Sequence, residues 1–169
     1  VTAGGEVLFS GSIFTDSRYA EFPGRAQICI TDLGGKVPEL LTPTVMSALT
    51  VNSEGVILYE DYKGYEDQFR KHHTSSVTRD IWMYATATQT KGLQVSAEGT
   101  FTKLSDFEGE DRNPVFASDG KTYYWLSEKS GSFNVWKSSI EEPSKAVQLT
   151  ACTDNPVRYL SVADNGIMS

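Results

Sequence analysis

One pattern constrains this chain more than any other: a glycine turn followed by a strand is written three times. Gly-Glu-Val-Leu-Phe-Ser occupies 5–10, Gly-Val-Ile-Leu-Tyr-Glu 55–60 and Gly-Lys-Thr-Tyr-Tyr-Trp-Leu-Ser 120–127. Glycine supplies the positive φ that a tight turn demands, and the β-branched, aromatic and aliphatic run behind it favours a pleated strand. A second strand follows each: Ala-Gln-Ile-Cys-Ile-Thr-Asp at 26–32, Asp-Ile-Trp-Met-Tyr at 80–84 and Phe-Asn-Val-Trp-Lys at 133–137. A third ends alike each time, at Leu41-Thr42, Leu104-Ser105 and Leu149-Thr150. Before each glycine turn lies a short strand: Ser-Ala-Leu-Thr-Val-Asn at 47–52, Pro-Val-Phe-Ala-Ser at 114–118 and Pro-Val-Arg-Tyr-Leu-Ser-Val at 156–162.

Isolated hairpins are marginal in water, so these strands must pack on one another. Leu104 to Leu149 and Gly120 to Gly166 set a period of about 45 residues, and four short strands per unit at that period signal β-propeller blades. The expected class is all-β, with about three four-stranded antiparallel blades. With strands lettered A to D from the axis outward, the chain reads B-C-D in 1–43, A-B-C-D in 44–106, A-B-C-D in 107–150, and strand A of a next blade in 151–169. Thr86 to Thr100 reads as an added turn between strands C and D of the second blade. Three blades do not close a ring. The expectation is therefore a fragment of a larger propeller, or half of a six-bladed ring in which a homodimer exchanges final A strands. The absence of an initiator Met or signal core at the start fits an excerpt of a longer chain.

Composition narrows the partners. The formal net charge is −7 with no Lys/Arg-dense stretch to offset it, which argues against nucleic acid. No apolar run approaches the ~18 residues of a spanning helix, so no membrane insertion is expected. Cys29 and Cys152 read as two free thiols and select neither a cell-envelope nor a cytoplasmic setting. There is no phosphate-cradling glycine loop, no G-x-S-x-G elbow, no H-E-x-x-H, no paired CxxC and no EF-hand loop. No cofactor and no metal site is expected. The acidic stretch Glu108-Gly109-Glu110-Asp111 reads as a solvated loop.

His72 and His73, with Ser75, Ser76 and Asp80 nearby, do not form a Ser-His-Asp site by spacing, and consecutive side chains on an extended segment point opposite ways. No catalytic residue is assigned. The B–C and D–A connections of a propeller share one face. On that face fall the first blade's Gly11 to Arg25 insertion, the basic Arg70-Lys71-His72-His73, and the D–A segment Arg112-Asn113-Pro114. Arg70, Lys71, His72, His73, Arg112 and Asn113 are the candidate binding residues, the cations suited to a peptide carboxylate. A neighbouring domain of the same polypeptide is the alternative occupant.

The unit from Ser118 to Trp136 resembles the blade repeat shared by TolB, the tricorn protease and related peptidase propellers. Residues 59–82 and 103–115 resemble the N-terminal propeller of tricorn-like serine peptidases. The resemblance implies a non-catalytic propeller that gates or docks peptides, its serine nucleophile lying in other domains of a hydrolase. It also admits a TolB-like protein-binding scaffold without a peptidase, or a dipeptidyl-peptidase-type propeller leading into an α/β-hydrolase domain.

Overall fold

The computed structural model describes residues 1–2, 4–11, 26–65, 67, 72, 74–86, 99–163 and 166–168. Strands β1 (Glu6–Gly11), β2 (Gln27–Asp32) and β3 (Glu39–Thr42) form a first antiparallel sheet. A four-stranded sheet follows from β4 (Met46–Val51), β5 (Ile57–Asp61), β6 (Ile81–Thr86) and β7 (Gly99–Lys103). Another comprises β8 (Asp111–Phe116), β9 (Thr122–Ser127), β10 (Asn134–Ser139) and β11 (Val147–Gln148). The hairpin of β12 (Ser161–Ala163) and β13 (Gly166–Met168) ends the described chain. Every sheet is a meander of consecutive strands, and no described residue is helical. The all-β, blade-like class read from the repeat is the fold observed.

The turn glycines behave as their positions require. Gly5, Gly55 and Gly120 sit at the three A–B turns with φ of 86°, 84° and 68°, a region closed to most L-residues. The inner strands share a second device. β4 and β8 each carry a bulge, between Ser47 and Thr50 and between Arg112 and Val115. At its apex sit Ala48 (φ 45°) and Asn113 (φ 50°). The bulges occupy equivalent places and bend the inner strands alike.

The recurring Leu-Ser/Thr pair has a different role from the one its position suggested. Leu104-Ser105 and Leu149-Thr150 fall just beyond β7 and β11 instead of inside them. Their hydroxyls turn back on the next strand inward. Ser105 Oγ accepts the Ile81 N–H at 2.9 Å, and Thr150 Oγ1 accepts the Val135 N–H at 2.9 Å. The same hydroxyls donate to Asp80 Oδ1 at 3.3 Å and Asn134 Oδ1 at 2.9 Å. Each pair thus closes its blade with a side chain beside the last backbone bonds, which run from Leu104 N–H to the Ile81 carbonyl and from Leu149 N–H to the Val135 carbonyl, both at 2.8 Å. The final segment also differs from expectation: it is a hairpin, not a single inner strand. β13 lies beside β12.

The core lies between blades. Ile28, Ile30 and Leu41 of the first sheet pack against Met46, Ile57, Tyr59 and Tyr84 of the second. Leu58, Ile81 and Leu104 pack against Phe116, Tyr123 and Trp125 of the third. Ile57 and Tyr59 face one neighbour while Leu58 faces the other, as the two-residue strand period dictates. A middle blade is thus buried on both faces, and each large side chain contributes about 1.5–3 kcal/mol. Tyr123 stacks on Trp125 at 5.0 Å and Trp125 meets Trp136 at 6.5 Å.

Candidate functional site

The end of the molecule that carries the B–C and D–A connections holds a buried ionic network. Its acids are Glu60 at the end of β5, Glu110 just before β8 and Glu128 just after β9, each no more than 4% exposed. Arg79, before β6, reaches Glu60 Oε1 with Nη1 at 2.6 Å and donates its backbone N–H to Glu110 Oε2 at 3.2 Å. Arg112 Nε meets Glu110 Oε1 at 2.8 Å. Glu60 Oε2 accepts the Asn113 N–H at 3.1 Å, satisfying a donor that the bulge removes from the ladder. Burial raises the Glu60 pKa, against the pull of Arg79 and the Asn113 N–H. The second and third blades are locked together by charges held out of water.

This geometry reassigns several expected residues. Arg112 and Asn113 lie in strand β8, at its bulge, not in a loop. The Arg112 guanidinium is paired with Glu110 and lies 4.6 Å over the Phe133 ring, both contacts within the third blade. His72 is exposed, has φ 56° and donates its backbone N–H to Glu128 Oε2 at 2.9 Å. That contact puts the B–C connections of adjacent blades on one face, as the propeller reading requires. Arg70, Lys71 and His73, like residues 12–25 and 87–98, lie outside the described residues. The stretch from Glu108 to Asp111 is not a solvated loop: Glu110 and Asp111 are among the most buried polar residues. Glu60, Arg79 and Glu128 were missed because nothing local marks a strand-end acid as the partner of a cation on another blade.

The opposite end offers a concave surface. The ends of the inner strands β4, β8 and β12 converge on a cleft of about 280 Å³. It is lined by Thr50, Val51, Asn52, Ser53, Phe116, Ala117, Ser118, Gly120, Val162 and Ala163. Among the described residues, no lining side chain is charged. Asn52 sets its rim: Oδ1 accepts the Glu54 and Val56 N–H groups at 3.0 and 2.9 Å, while Nδ2 donates to the Gly120 carbonyl at 2.8 Å. The A–B turns of two blades are tied by this one side chain. Among the described strands each inner strand is an edge of its sheet, so one side of its backbone has no strand partner there.

Radially packed four-stranded meanders, inner strands converging on a shared cleft, define a β-propeller region. The comparisons agree on the kind. The chain superposes on the crystal structure of the tricorn protease with TM-score 0.56 and 16% identity, covering 79% of this chain and 12% of that one. It superposes on TolB from Acinetobacter baumannii with TM-score 0.61 and 14% identity, covering 98% of this chain and 35% of that one. The fold is that of a tricorn- and TolB-type propeller region, and the chain spans well under half of either relative. No family model and no curated protein sequence matches it.

Proposed function

We propose that this chain is the non-catalytic propeller region of a tricorn-like serine peptidase, and that it docks or admits extended peptide at the axial cleft. The observation that carries this reading is the cleft between β4, β8 and β12. Its described lining is uncharged, its volume is near the lower end of the ~300–1,000 Å³ range of ligand clefts, and among the described strands it is bordered by inner strands that are edges of their sheets. Such edges hydrogen-bond a peptide main chain irrespective of its side chains, which suits a gate that must pass many sequences. The ionic network at the opposite end holds the blades in register and performs no chemistry on substrate.

The test is binding of a fluorescently labelled, unstructured Ser/Thr/Ala-rich peptide, followed by anisotropy. Saturable binding is expected, with the peptide recovered intact. It should be lost in Ala117→Trp, which fills the cleft, with sheet content and melting temperature retained. Absence of binding, or binding indifferent to Ala117→Trp in a folded variant, removes the proposal.

A second reading, a TolB-like scaffold that docks a folded protein, is favoured by the 98% coverage of this chain in the TolB superposition. Its expected surface is the loop face with Arg70, Lys71, His72 and His73. Charge reversal at Arg70 and Lys71 should then abolish partner capture and leave cleft binding of peptide untouched.

A further inference from the structure

Away from the cleft and the ionic network, a small cavity of about 20 Å³ lies inside the third blade. Its walls come from the connection before β8 (Ser105, Asp106), from Asp111 and Ser127, and from Trp136 and Ala146. Two buried polar atoms on these wall residues have no hydrogen-bond partner among the described residues: Asp111 Oδ1 and Trp136 Nε1. Ser127, Ser105 and Trp125 favour the Asp111 carboxylate, yet they leave Oδ1 without a partner in hydrogen-bond geometry. Lys129, also on the wall, pairs with Asp106 at 3.3 Å on the exposed side.

Buried donors and acceptors are almost always satisfied in native proteins. Here the residues that carry this acceptor and this donor line one cavity, walled by both polar and apolar side chains and larger than the ~10–15 Å³ that a water molecule needs. The chemistry of the walls selects the occupant. An indole N–H repels a cation, and a buried carboxyl group repels an anion. A molecule that both donates and accepts fits both. We infer that a fixed internal water molecule occupies this cavity, accepting from Trp136 Nε1–H and donating to Asp111 Oδ1. The Ser105 and Ser127 hydroxyls on the same wall supply the further partners that internal waters usually have. The water joins the loop leaving the second blade to the inner, second and third strands of the third, and is part of the interblade joint.

The test is NMR on the full 169-residue chain. In the native protein the Trp136 Hε1 proton should show a cross-relaxation peak to water with the sign of a long-lived contact. Water-oxygen relaxation dispersion should lose the contribution of one long-residence molecule in Ala146→Leu, which fills the cavity. Trp136→Phe, which removes the donor, should lose the same contribution and guards against a fold defect in the first variant. A native protein with no long-lived water contact at Trp136 Hε1 overturns the inference. So does an unchanged dispersion amplitude in either folded variant, or a thallium(I) anomalous peak in the cavity of soaked crystals, which would make the occupant a cation.

Discussion

Replacing Asp111 with asparagine isolates one buried acid and its effect on stability. Asp111 is 1% exposed. Burial raises its pKa from the ordinary 3.8 to about 7; Ser127, Ser105 and Trp125 oppose the rise and the nearby Asp80 charge adds to it. The unfolded chain releases this proton near pH 4, whereas the folded chain keeps it until about pH 7. Between those limits the unfolded state binds fewer protons, so stability falls as pH rises. The stabilisation is complete below about pH 4 and gone above about pH 7. About three pKa units at ~1.4 kcal/mol each give roughly 4 kcal/mol in all, of which about 3 kcal/mol is lost between pH 5 and pH 8. Asparagine keeps the shape and cannot ionise. Urea denaturation at a series of pH values should find the advantage of Asp111→Asn over wild type growing by about 3 kcal/mol between pH 5 and pH 8. With an m-value of about 2 kcal/mol/M, the gap between the two midpoints then widens by about 1.5 M across that range. The other titrating groups are shared by both proteins and cancel in the difference. Parallel stability curves across that range would falsify the claim that Asp111 enters the fold neutral.

Four further outcomes follow from the same packing. Glu110→Ala strips Arg79 and Arg112 of a buried partner and should cost about 3–5 kcal/mol in a denaturant titration. Asn52→Ala should lower stability by about 1–3 kcal/mol, since two turn N–H groups and the Gly120 carbonyl lose their partner; an unchanged midpoint would mean the A–B turns are not coupled. Trp125→Ala removes a ring stacked on Tyr123 and tilted against Trp136 and should cost about 3–5 kcal/mol by thermal or chemical melt. Ser105→Ala orphans the Ile81 N–H and should speed amide exchange at Ile81 more than at the centre of β5.

How much of this was legible in the residues can be argued element by element. Gly5, Gly55 and Gly120 announced the A–B turns because left-handed backbone is a local demand that glycine alone meets cheaply. Ile57-Leu58-Tyr59 announced a strand buried on both faces because it lacks the polar alternation of a half-exposed one. The strand order, the blade period and the all-β class are therefore carried by neighbours along the chain. The bulge at Asn113 was hidden because its spare N–H is satisfied by Glu60, more than fifty positions earlier. Ser105 and Thr150 read as strand ends because a hydroxyl that accepts a strand N–H looks, in sequence, like any strand-terminal Ser or Thr.

The amino-acid sequence by itself determined the repeat and, through it, the radial stacking of antiparallel meanders, since turn chemistry and strand periodicity act within a few residues. Tertiary structure alone decided which charges are buried and paired, where the inner strands converge into a cleft, and which acid holds its proton. Those properties arise from groups brought together across blades, and their energies depend on distance and on exclusion of water, neither of which is written in the local order of side chains.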